Sequence, residues 1–268
     1  MSQITILLLY LLAALALIMS RLPRFAAQSR AAIAIAFGFM AIGIYLHGQQ
    51  LFALILPGPG ITLSVGSVAS MIALELALIA ALAAIEPTLR GMSAGMLILA
   101  APAALLMGEA AQLQHQAALA WHVKAHILIA LTAYGVLSVG AIVAIYALIQ
   151  ERRLHAARIT AANRLFAPLE TTEKLLIGVT AAGFAGLTLA IATGLYFVNN
   201  LLEQHLAHKF GLSLLAWIIF GVLLAGRFVA GWRGKRAFEL YLWGFAALCL
   251  AYFGSRVILE QIFDRSWS

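Results

Sequence analysis

Charge is scarce in this chain. Only 10% of its 268 residues are charged and ten are acidic, whereas soluble globular proteins carry roughly 25% charged residues. With 64% hydrophobic residues and a mean hydropathy of +1.00, that deficit excludes a soluble globular protein. Cysteine is reduced to Cys249, inside the last apolar run. An internal disulfide or a dithiol redox pair is therefore excluded, and a haem or metal here uses other ligands. No stretch rich in proline, glycine or serine divides the chain, and it has no internal repeat, so one transmembrane domain over residues 1–268 is expected. Catalytic triads, phosphate loops and nucleotide fingerprints are missing as well, and no enzyme is expected. Gly231-Trp232-Arg233-Gly234-Lys235-Arg236 has a superficial likeness to a phosphate-binding turn, without the strand–loop–helix context or the spacing.

What the chain has instead is eight long apolar runs, at about 3–20, 31–48, 64–85, 91–108, 123–149, 174–199, 210–230 and 238–256. A hydrocarbon core of ~30 Å takes about 20 helical residues. In lipid a helix satisfies its own peptide groups, and the runs are too long and continuous for barrel strands. The fold class expected is all-α, a polytopic membrane protein of about eight transmembrane helices. Alternate connections carry Arg21, Arg24, Arg30, Arg90, Arg152, Arg153, Arg158, Arg164, Lys174, Arg227, Arg233, Lys235 and Arg236, 13 of the 17 basic residues. The other side holds Lys124, Lys209, Arg256 and Arg265. The positive-inside rule makes the first group cytoplasmic and both termini extracytoplasmic. Arg21 and Arg24 follow the first run instead of preceding it, which favours a retained helix over a cleaved signal. The +7 formal charge is spread over short loops facing anionic headgroups, so the partner is the lipid bilayer and not nucleic acid.

Three connections exceed a simple turn. Residues 48–63 (GQQLFALILPGPGITL) contain two prolines and are expected to leave the helix and fold back on the outer surface. Residues 109–122 (EAAQLQHQAALAWH) alternate as an interfacial amphipathic helix would, and residues 150–173 form the largest cytoplasmic connection.

Six of the seven histidines fall on the outer side: His47, His115, His122, His126, His205 and His208. His122 and His126 are four apart, His205 and His208 three apart, and each pair shares a helix face. Imidazole suits haem iron, zinc, copper or nickel, while a lone interfacial histidine needs no ligand to account for it. His47 ends an apolar helix at the interface, either as a functional group or as a neutral ring bonded to a carbonyl. His155 lies among cytoplasmic arginines and is expected to be solvated. Glu75, midway along the third run, is expected to be a structural acid hydrogen-bonded to a neighbouring helix; the alternative is a proton relay.

The run HILIALTAYGVLSVGAIVAIYALIQERRL resembles a motif of the cytochrome c assembly family of the CcsA/CcmC type. There a histidine precedes a Ser/Thr and Tyr element in a helix of small and apolar residues. His126, with Tyr134 eight positions on, fits that register; His122 does not. PLETTEKLLIGVTAAGFAGLTLAIATGLYF resembles the family's next helix, and HKFGLSLLAWIIFGVLLAGRFVAGWRGKRAFELYLWGFAALCLAYFGSR its last two. The likeness covers about 64–260 and is nearest to the short bacterial inner-membrane branch of YpjD- and HemX-like proteins. It implies a haem-handling protein of cytochrome c assembly or haem metabolism, with haem b held non-covalently near the periplasmic face. His126 is then the first axial ligand, His47 or His208 the second, and Trp121 and Tyr134 pack at the porphyrin edge or serve as interfacial anchors. Haem and other cytochrome-assembly membrane proteins are the implied partners. The tryptophan-rich WxWD segment is replaced by NNLLEQHLAHKFG, and the family's later histidines have no equivalents at Ala225-Gly226 or in ILEQIFDRSWS. Those departures remove presentation of haem to an apocytochrome from the expectation and leave haem binding.

Two other readings stand beside it: a zinc- or copper-binding permease or accessory using His122, His126, His205 and His208, and a cofactor-free assembly scaffold. The topology is testable directly. Alkaline phosphatase fused at Ser268 should be active, and strong fluorescence from a fluorescent protein fused there would overturn the eight-helix count.

Overall fold

In the computed structural model, which describes residues 3–56, 65–108, 120–155, 167–197 and 207–251, all regular structure is helical. Eight α-helices follow in order: α1 Gln3–Met19, α2 Ser29–Ile55, α3 Val65–Ala83, α4 Arg90–Ala103, α5 Trp121–His155, α6 Leu169–Phe197, α7 Ala207–Val229 and α8 Lys235–Cys249. Each corresponds to one of the expected apolar runs. Among the described residues six stretches are long and apolar enough to cross a membrane: Pro23–Ile55, Gly66–Ala83, Pro87–Leu106, Trp121–Arg153, Leu169–Tyr196 and Phe210–Val229. The chain is a multi-pass membrane protein. At 17 residues, α1 spans about 26 Å, the lower limit for a core of ~30 Å. The described part of α8 has 15 residues.

The helix ends differ from expectation in three places. The break expected after His47 comes eight residues later, because nothing before Leu56 forbids the helix. Leu56, the residue ahead of Pro57, leaves helical geometry at φ −119° and ψ 57°. His47 is therefore two turns inside α2 and not at its end. The expected cytoplasmic connection at 150–173 is shorter, since α5 runs on to His155 and α6 starts at Leu169. Pro168 sits just ahead of that first turn, where its missing N–H costs no helix bond, and its carbonyl accepts from Thr171 and Thr172. The amphipathic segment expected at 109–122 lies largely outside the described residues, and its last two, Trp121 and His122, open α5.

The chain divides into two compact units, Met1–Lys124 with Arg152–Leu175 and Ala125–Glu151 with Leu176–Ser268. In the first, α1 packs on α2 and α4, and α3 packs on α2 and α4. Ile6, Tyr10, Ala13, Ala14 and Leu17 form the buried stripe of α1, while Leu8, Leu11, Leu12 and Leu15 point outward. Leucines on the outside and alanines on the inside are the pattern of a bundle surrounded by hydrocarbon. The Arg21 guanidinium donates to the Pro87 carbonyl at 3.0 Å, so the arginine-bearing turns between α1 and α2 and between α3 and α4 share one end of this unit.

In the second unit α7 packs on α8, and glycines set how closely helices approach α5. A Cβ on Gly183 of α6 would fall 2.6 Å from Leu137 Cγ, and one on Gly186 would fall 3.0 Å from Ala133 Cβ. The Glu151 carboxylate, near the end of α5, accepts from the Lys235 backbone N–H at 3.3 Å and so caps the positive end of α8. Tyr241 of α8 is fully buried; its hydroxyl donates to the Leu137 carbonyl at 2.8 Å and its ring meets Phe220 edge-on at 5.1 Å. A Cβ on Gly140 would collide with that phenol. Gly140→Val should accordingly destabilise the protein by about 1–3 kcal/mol through overpacking. Tyr241→Phe should cost about 1 kcal/mol for its hydrogen bond. Thermal unfolding in detergent checks both, and an unmoved midpoint for Gly140→Val would show that this contact does not hold α5 to α8.

Candidate functional site

His126 lies in the second turn of α5, half-buried against α6. Its Nδ1 is 3.0 Å from Thr193 Oγ1. The same hydroxyl lies 2.7 Å from the Leu189 carbonyl and 3.1 Å from that of Ala190. The Cε1 corner of the ring rests near Gly194, where a Cβ would stand 3.2 Å from it. Nε2 has no hydrogen-bond partner among the described residues. One imidazole nitrogen is held by the protein, and among the described residues the other, a σ-donor of the kind haem iron takes, meets no hydrogen-bonding group.

His47 presents the opposite case. It is fully buried, with Nδ1 3.0 Å from the Tyr10 hydroxyl of α1 and Nε2 2.8 Å from the Ser70 hydroxyl of α3. Tyr10 and Ser70 are fully buried too, and these are their only side-chain hydrogen bonds among the described residues. One turn before His47, Gly43 leaves room for the Tyr10 ring: a Cβ there would be 2.9 Å from Tyr10 Cε1. His47 thus joins three helices, and both of its nitrogens are engaged. The partners are hydroxyls, whereas a backbone carbonyl was one of the two alternatives left open by the sequence.

The remaining sequence candidates are more dispersed. Trp121 is 77% exposed, as an interfacial anchor would be, and its indole meets the His122 ring edge-on at 6.0 Å. The Tyr134 hydroxyl is 3.4 Å from Ser213 Oγ of α7. His115, His205 and the side chain of His208 lie outside the described residues, and with them half of the four-histidine metal set. Among the described residues no group of three His, Cys, Asp or Glu side chains is placed to hold a metal ion. Glu75 is 8% exposed on α3, yet among the described residues its Oε2 finds no hydrogen bond of the kind expected from a neighbouring helix. Sequence reasoning missed Tyr10, Ser70 and Thr193. A hydroxyl in an otherwise apolar helix was the available signal, and at Thr193 the adjacent Gly194 strengthens it.

Residues 46–263 match the family model described as "Cytochrome C assembly protein". The Inner membrane protein YpjD of Escherichia coli (strain K12) is 34% identical over 137 residues, 51% of this chain and 52% of that protein. A 28.8 kDa protein from the nifR3-like 5' region of Azospirillum brasilense is 30% identical over 140 residues, 51% of each chain. The cytochrome c biogenesis protein CcsA of Heterosigma akashiwo is 33% identical over 94 residues, 34% of this chain and 28% of that one. The chain spans about half the length of the first two relatives. No solved structure matches it.

The Tyr10–His47–Ser70 set predicts a particular pattern of stability. His47→Ala strands two buried hydroxyls, each costing about 1–3 kcal/mol. Adding Tyr10→Phe and Ser70→Ala to that variant should restore part of the loss, read as the unfolding midpoint in detergent. A triple variant less stable than His47→Ala would show that the hydroxyls have other roles.

Proposed function

The chain belongs to the cytochrome c assembly protein family, and from that premise we propose that it is a bacterial inner-membrane protein holding haem b non-covalently near its extracytoplasmic face. The carrying observation is the His126 imidazole, anchored through Nδ1 and without a hydrogen-bond partner at Nε2 among the described residues. A histidine that ligates iron through one nitrogen generally gives its other N–H to an acceptor of the protein, and here Thr193 stands in that position. The donor set fits haem for that reason. A second imidazole nitrogen would come from His208, in the first turn of α7, or from His47, which would have to release Tyr10 or Ser70. When bound between two imidazoles, haem provides a low-spin centre suited to being held or to passing electrons.

The protein's own part is to position, not to catalyse. α5 and α6 orient His126, and Tyr134 ties α5 to α7 through Ser213. The inner membrane is the location named for the Escherichia coli relative, and cytochrome c biogenesis is the role named for CcsA. Both carry over here as the proposed setting, with the lipid bilayer, haem and other cytochrome-assembly membrane proteins as partners. No observation favours the zinc or copper permease, and a cofactor-free scaffold leaves the unpartnered Nε2 without a use.

An absorption spectrum of the purified protein separates these readings: a Soret band supports haem, stoichiometric metal without one supports the permease, and neither supports the scaffold. His126→Ala should abolish haem retention while His122→Ala largely preserves it, compared as the Soret-to-protein ratio. Equal losses would favour the metal site. Equal retention would remove His126 from the ligand set.

A further inference from the structure

Thr193 has one hydroxyl proton and several places to direct it. A carbonyl oxygen can only accept, so the 2.7 Å separation between Thr193 Oγ1 and the Leu189 carbonyl requires that proton to lie between them. The weaker approach to Ala190, at 3.1 Å, draws the proton the same way. What Oγ1 offers toward α5 is therefore a lone pair. Thr188, five residues earlier on α6, shows the same division of labour. Its hydroxyl donates to Phe184 at 2.7 Å and accepts from the Trp217 indole at 2.9 Å, and an indole N–H cannot accept.

We propose that Thr193 is the positioning residue of His126: by accepting from Nδ1–H it fixes the imidazole as the Nδ1–H tautomer and leaves Nε2 bare to bind an iron or other imidazole-seeking centre. Gly194 completes the seat, because a side chain there would press on Cε1. His47 has no such bias. Among the described residues neither Tyr10 nor Ser70 has a competing carbonyl, so either hydroxyl can donate and both tautomers are satisfied. The two histidines thus differ in kind: one has its ligand nitrogen assigned in advance, the other does not. The purpose of the arrangement rests on the haem reading of His126, whereas the tautomer does not.

The test begins without haem. Protein labelled with 15N-histidine, purified in detergent and held at about pH 8, above the ordinary histidine range, is examined by long-range proton–nitrogen correlation. The His126 signals are those missing from His126→Gln. Wild type and Thr193→Ser should show protonated Nδ1 and bare Nε2; Thr193→Val should lose that preference. Protonated Nε2 in wild type overturns the proposal, as does an unchanged tautomer in Thr193→Val, which would give the role to the Ala190 carbonyl, the other acceptor facing the ring. Haem titration then reads the consequence. Thr193→Val should weaken haem binding about 10–100-fold, with Thr193→Ser near wild type. A tautomer that moves while haem retention stays constant upholds the assignment and overturns the ligand role of His126.

Discussion

A hydroxyl inside hydrocarbon has no water to bond with, and in this protein that constraint is met the same way again and again. Ser138, Thr180, Thr188 and Thr193 each donate to the carbonyl four residues back on their own helix, at 2.6–2.8 Å. The helix absorbs the proton, and the oxygen is left as an acceptor aimed sideways. Trp217 from α7 donates to Thr188, and His126 Nδ1 from α5 meets Thr193, so α6 receives a neighbour on each of two faces. Phe184 stacked on Trp217 at 5.4 Å and the two glycines against Leu137 and Ala133 add packing to the same contacts. The geometry of the candidate ligand follows from how a threonine behaves in lipid.

Close helix approach is the companion condition. Leucines such as Leu8, Leu15, Leu82 and Leu189 face outward, and alanine is the commonest buried residue among those described. Between helices in lipid, dispersion and hydrogen bonds replace the hydrophobic driving force, and both fall away quickly with distance. Tyr241 reaches the Leu137 carbonyl across Gly140 only because nothing projects from that glycine. Tyr10 reaches His47 past Gly43 under the same condition.

Much of the architecture was legible from composition, since length and apolarity are what a bilayer selects. The eight runs and their helical nature came through, and the ends did not. Pro57 suggested a break well before it occurs, because proline constrains its immediate predecessor and not the eight residues from Gly48 to Ile55. His126 was legible as a histidine at a helix entrance, with Tyr134 in register. Thr193, 67 residues downstream, was not, because pairing between helices leaves no trace in local periodicity. Tyr10, His47 and Ser70 come from three different helices, and only the histidine looked costly enough to single out. Glu75 stood out as an ionisable group at depth, but burial alone did not say whether it would find a partner.

The length of α5 bears on how the protein sits in its bilayer. Its 35 residues extend about 52 Å, against a hydrocarbon thickness of ~30 Å. A tilt of ~40°, the upper end of the observed range, still leaves about 40 Å along the membrane normal. Roughly 10 Å of helix must then emerge from the hydrocarbon, and the charged end of Glu151, Arg152 and Arg153 is the part suited to do so. Those side chains fix the helix vertically: sinking would immerse cations in hydrocarbon, and rising would pull apolar turns into water. An end carrying Arg152 and Arg153 would, by meeting lipid phosphates, fix how deeply the rest of α5, His126 included, lies in the bilayer.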